Sequence, residues 1–192
     1  MSTIIAPGHG VLYMKVGQHA RESLEDIIQR KTREIEESGF GLWGYGGNTC
    51  HPQTMVQPFA KEYEKIGERI YLVMEPMDSN HFAEPIRADE FSVDGLSWDE
   101  IPKSIDVRGS RYALVIKNLR QEEFELPLER TEVALGRSMG AAGSNYISGR
   151  VDKACLRIAT ADEEKGPQRS VKIGLVADII EPYAVYVRNR VE

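Results

Sequence analysis

Apolar positions recur along this chain in two rhythms, and the first third carries both. Residues 11–16, Val-Leu-Tyr-Met-Lys-Val, are almost continuously apolar, which predicts a strand buried on both faces. After the turn Gly17-Gln18-His19-Ala20-Arg21 the period lengthens: Leu24, Ile27, Ile28 and Ile35 fall at helical spacing, with Arg and Glu on the other face. Ser23 stands where an N-cap belongs, with Asp26 three residues on, and Gly39 stands where a left-handed C-cap ends a helix. A second short apolar run, residues 40–43, predicts a second strand.

That strand opens into Gly44-Tyr45-Gly46-Gly47-Asn48. Pro52 suits the first turn of a new helix, where its missing N–H is not needed, and His51 before it is pushed toward the extended geometry of an N-cap. Met55, Val56, Phe59, Tyr63 and Ile66 form an apolar stripe interrupted by Pro58, which predicts a kink or two short helices. Residues 69–74 predict a third strand. The first third therefore reads β-α-β-α-β, with three parallel strands and right-handed crossovers as its expected assembly.

Residues 78–103 change character. Pro, Asp, Glu and Ser dominate there, with Phe91, Leu96 and Trp98 as anchors, as in a long connection. Beyond it the text is strand-like: residues 112–119 are strongly apolar, Arg120-Gln121-Glu122-Glu123 suits a hairpin turn, and Phe124, Leu126 and Leu128 alternate with polar partners. Residues 151–159, 171–180 and 183–187 supply further strands, and the small-residue stretch 136–146 reads as a loop. The expected fold is α+β or α/β: a β-α-β-α-β ligand-site half at residues 1–77, a connecting segment at 78–103, and a mainly antiparallel β half at 104–192, packed as one unit.

Composition narrows the function. The 192 residues are 41% hydrophobic and 28% charged, which suffices for a real core. A formal net charge of -6 disfavours nucleic acid as the main partner. No apolar run approaches the length of a membrane span, and residues 1–10 lack the pattern of a secretory leader, so a reduced cytoplasmic setting is expected. Cys50 and Cys155 make neither a disulfide framework nor a zinc-ligand spacing. Cys155 shares strand parity with Lys153 and Arg157, which predicts a polar or interfacial face.

Candidate chemistry gathers at residues 39–52. Gly39, Gly41 and Gly44 match the dinucleotide-binding spacing, but they follow a helix and flank a strand, the reverse of what that fingerprint needs. A displaced nicotinamide or flavin site on Gly44 and Gly46, with Glu75 as ribose acid, is a remote reading, and the cofactor stays unassigned. The stronger reading is an anion held at the start of the Pro52 helix, where backbone N–H groups lack helical partners and glycines let a ligand come close. Gly46, Gly47, Asn48 and Thr49 then form the binding turn, with Arg21 from the loop after the first strand and Arg137 and Arg150 flanking the small-residue loop of the second half. Plain helix capping by Thr49 or His51 is the bland alternative.

Cys50 beside a helix start is a candidate nucleophile, with His19 or His51 as base, because a depressed thiol pKa is what such chemistry requires. Zinc on Cys50, His51, His19 and His81 has the ligand types without a known spacing, and no metal is assigned. The leading expectation is a binding or sensing domain for a small, nucleotide-like anion. A cysteine-dependent hydrolase or transferase comes second, and an assembly protein with no small ligand third. Oligomerisation is left open.

Overall fold

The computed structural model describes residues 3–81, 83–148, 151–160 and 163–190. Its main body is one mixed sheet with few helices. In chain order the elements are β1 (Gly10–His19), α1 (Leu24–Ser38), β2 (Gly41–Tyr45), a π-helical turn (Pro52–Val56) running into α2 (Gln57–Glu64), and β3 (Tyr71–His81). Then come β4 (Glu90–Ser92), β5 (Asp99–Glu100), β6 (Tyr112–Pro127), β7 (Thr131–Val133), the single turn α3 (Gly143–Tyr146), β8 (Lys153–Ile158) and β9 (Ser170–Arg188). The sheet order is β2-β6-β9-β3-β1-β8-β7, with β4 on the far end of β9 and β5 beyond it.

Local signals are realised locally. The Ser23 hydroxyl accepts from the Asp26 N–H at 3.2 Å, and Gly39 adopts φ 84° while donating to the Ile35 carbonyl at 2.8 Å. The Pro58 region changes from π to α hydrogen bonding, so the helix is two segments joined end to end. Residues 11–14 are buried on both faces, as their continuous apolar character predicts.

The expected β-α-β-α-β unit is not formed. The three strands exist, but only β1 and β3 pair in parallel. β2 pairs antiparallel with β6, Gly41 opposite Ile116 and Tyr45 opposite Tyr112. Three successive antiparallel pairings separate β2 from β3, so β2 runs opposite to it. Periodicity fixes which face a strand buries and leaves its partner open. Here the partner is supplied by β6, which with β9 forms the longest ladder in the sheet.

Two further expectations change for related reasons. Residues 120–123 are no turn: β6 runs through them with register shifts, and Asn118 takes φ 53° where the ladder is interrupted. Their charges mark strand exposed to solvent. Likewise residues 171–180 and 183–187 are one strand, β9. Strands from residues 1–77 and 104–192 interleave, β3 beside β9 and β1 beside β8.

Both faces of the sheet are covered. Leu12, Met14, Leu72, Met74, Leu114, Ile116 and Leu175 pack with Val56, Phe59 and Tyr63 of the helical segment. Val11, Tyr13, Val73, Leu156 and Ile173 face the other way, toward Leu126, Leu128 and Ile147. A third cluster buries Leu42, Val115 and Val185 beneath Ile101 of the connecting segment and Ile105 and Val107 just after it. β2 lies four places from β1 in the sheet, about 19 Å away if the sheet were flat. The two nevertheless line one cleft, so the sheet curls, as the shifted registers of β6 and β9 favour.

Candidate functional site

The cleft has a volume of about 710 Å³. Its floor is apolar: Met14 and Val16 from the end of β1, Trp43 and Tyr45 from β2, and Ile27 from α1. One wall is made by α1 together with residues 106–111, and the facing rim by Gly46, Gly47, Asp152 and Lys153.

Charged residues on the inward stripe of α1 build the wall. Ile27, Lys31 and Glu34 share one helical face, and the last two are only 2% exposed. Lys31 Nζ donates to Glu34 at 3.0 Å and to the Asp106 carbonyl at 2.6 Å, while Glu34 accepts the Asp106 N–H at 2.8 Å. Arg30 forks onto Glu22 at 2.5 and 3.1 Å, reaches Glu34 at 3.1 Å, and also donates to the Asp106 carbonyl. Arg108 clasps the Asp106 carboxylate with two bonds of 2.9 and 2.8 Å. Asp106 is thus the hub that fixes the wall to the helix.

The titrations follow from this packing. Burial pushes Lys31 down to about 8, against the pull of Glu34. Burial also opposes charge on Asp106, but the Arg108 bonds outweigh it and hold the carboxyl below its ordinary value. Arg30 is likewise opposed by burial and held charged by Glu22.

That bookkeeping separates structural cations from available ones. Arg30, Lys31 and Arg108 are spent on the wall. Lys15 lies on the opposite pleat of β1 from Met14 and Val16. Lys153 and Arg111 remain. Arg111 is exposed at the cleft edge, its guanidinium 5.3 Å from the Tyr112 ring centre. Lys153 pairs with Met14 across β1 and β8, on the floor side, and is 7% exposed. Its ion partner among the described residues is the adjacent, exposed Asp152 at 3.0 Å. Across the rim stands Gly47 at φ 88°, where a Cβ would lie 3.5 Å from Lys153 Nζ.

The structure brings some sequence candidates together and not others. Gly46, Gly47 and His19 line the cleft, and His19 Nε2 donates to the Arg108 carbonyl at 3.0 Å. Arg21, Asn48 and Thr49 lie outside the lining, as does Arg137 on its exposed turn. Arg150 is outside the described residues. The Pro52 helix start does not reach the cleft either.

Cys50 is fully buried, its Sγ 3.8 Å from Cys155 Sγ, and does not line the cleft. His51 packs edge-on against Tyr112 and Tyr186, ring centres 5.4 and 5.6 Å away. Neither Cys50 nor His51 lines the cleft that His19 lines. Cys155 is 1% exposed and Lys153 is buried with it, so the face predicted to be polar or interfacial is covered at these two residues, while Arg157 stays exposed. Among the described residues no three His, Cys, Asp or Glu side chains gather as a metal set, and the His81 side chain lies outside the description.

Sequence reasoning missed Lys153, Asp106, Arg108 and the inward charges of α1. The readable trace of the last was Lys31 and Glu34 at four and seven residues from Ile27, inside the apolar stripe. No known protein family, curated protein or solved structure matches this chain.

Proposed function

We propose that this protein is a binding or sensing domain for a small anionic ligand, of the nucleotide class, in the cleft between α1, residues 106–111 and the Gly46–Gly47 rim. The observation that carries the reading is Lys153. Its ammonium stands beside the glycine rim, and its ion partner among the described residues is the exposed Asp152, so an arriving anion can take a charge-assisted hydrogen bond from it. Gly46 and Gly47 leave the backbone opposite it open to close approach. The apolar floor with Trp43 and Tyr45 suits a flat organic body attached to the charge. The anion therefore sits against β8 and the glycine rim, away from the Pro52 helix start.

Calorimetry or thermal shift with nucleotides and sugar phosphates tests this. A ligand at a hundred times its Kd stabilises by about 2.7 kcal/mol. Lys153→Met should weaken binding by about 1.5–3 kcal/mol, the range for a charge-assisted hydrogen bond, while leaving the free protein as stable as the parent or more so. Gly47→Val should also block binding by filling the rim. No shift with any anion up to millimolar concentration, or full binding by Lys153→Met, defeats the proposal.

A further inference from the structure

The geometry points to Cys50 and Cys155 as a redox-active pair that closes an intramolecular disulfide when the protein meets a peroxide or a low-molecular-weight disulfide. Their sulfurs are 3.8 Å apart and hydrogen-bonded across 105 residues of sequence. Closing to a disulfide requires about 1.8 Å of approach, since the bond length is about 2.05 Å. The two ends sit in different settings. Cys155 lies in β8, held between β1 and β7, whereas Cys50 ends the 46–50 turn and takes φ 57°. Gly47 and Asn48 of that turn are exposed.

A local opening of the turn therefore presents Cys50 to solvent while Cys155 stays in the sheet. The hydrogen bond with Cys50, together with burial, pushes the Cys155 thiol well above its ordinary range, and its place at the end of the turn makes Cys50 the sulfur that reaches solvent. With hydrogen peroxide, Cys50 gives up its thiol proton and its sulfur attacks one oxygen; the O–O bond breaks, a sulfenic acid forms, and the departing hydroxide takes that proton as the first water. Cys155 sulfur then attacks the sulfenic sulfur. The S–O bond breaks, and the departing hydroxide takes the Cys155 proton as the second water. Two thiols are oxidised and one peroxide is reduced. The product ties the turn bearing Gly46 and Gly47 to the strand bearing Lys153, and the pairing holds whether or not the cleft takes an anion.

The test treats the reduced full chain with hydrogen peroxide and, separately, with oxidised glutathione. Intact mass should fall by two hydrogens, and a non-reducing peptide map should join Cys50 to Cys155 within one chain. Cys50→Ala and Cys155→Ala should each abolish the cross-link. Amide exchange at residues 46–49 should slow at least about tenfold on oxidation, because those amides exchange by local opening. Should a variant fail to fold, the parent's peptide map decides alone. Unreacted thiols in the folded protein, a stable sulfinic acid or glutathione adduct at Cys50 with Cys155 free, or cross-links only between chains would each overturn the inference.

Discussion

Lys31 shows how one side chain can carry structure at a thermodynamic cost. Its ammonium pins residues 106–111 to α1, yet burial lowers its pKa from the ordinary 10.5 to about 8. Between those values the folded chain has released a proton that the unfolded chain still holds. The unfolded state then binds more protons, so stability rises with pH across that window. The full difference is about 3 kcal/mol, at 1.36 kcal/mol per unit. Urea denaturation of the parent and Lys31→Met from pH 7 to 10.5 isolates the effect, because tyrosine ionisation in the unfolded chain is common to both. The parent should gain on the variant as pH rises above about 8. Parallel curves would remove the buried ammonium from the account. At this scale the sequence is only partly readable. Gly46, Gly47 and His19 stood out by type, and all three line the cleft. Lys153 did not, because a lysine beside Asp152 in a strand reads as solvated surface until Gly47 of the 46–50 turn is seen beside its ammonium.

Elements divide into those whose signals are local and those whose partners are remote. The caps of α1, Ser23 and Gly39, act within four residues, and the helix sits where they put it. β2 was equally readable as a strand, but its pairing with β6 spans some seventy residues and leaves no trace in its own five. The mistaken turn at 120–123 has the same origin, since exposed strand and exposed turn share a composition. In β2 and just after it, the glycines have different tasks. A Cβ on Gly44 would lie 2.2 Å from Ser110 Oγ and 2.8 Å from Val107 Cγ2, inside the cleft wall, whereas one on Gly46 meets nothing within 4 Å. Gly44→Ala should therefore destabilise by about 1–3 kcal/mol through overpacking, and Gly46→Ala should stay within about 0.5 kcal/mol of the parent. Urea midpoints at equal m-value measure both. A Gly44→Ala protein as stable as the parent would mean that residues 107–110 yield freely, and the wall would lose its claim to rigidity.

At the scale of the whole molecule, interleaving decides how the protein unfolds. β1 and β3 come from the first 81 residues, yet β3 leans on β9 and β1 on β8. The third core cluster is likewise shared, joining Leu42 of β2 to Val185 of β9 and to Ile101 of the connecting segment. Separating the halves would expose the ladders on both sides of the β1–β3 pair and break all three clusters at once. Neither half holds a sheet face it can bury alone, so one cooperative transition is expected despite the length of the chain. The two tryptophans make this measurable. Trp43 lies on the cleft floor and Trp98 in the β4–β5 hairpin, under the Arg188 guanidinium 3.8 Å from its ring centre. Single-tryptophan variants, Trp43→Phe and Trp98→Phe, followed by fluorescence in urea should each give the midpoint and m-value that far-ultraviolet circular dichroism gives for the same variant. Residues 1–103 and 104–192 produced separately should stay unfolded, because each lacks the strands that flank its own. A hairpin signal that melts well before the cleft signal, or a folded fragment from either half, would show that the continuous sheet conceals two independent units.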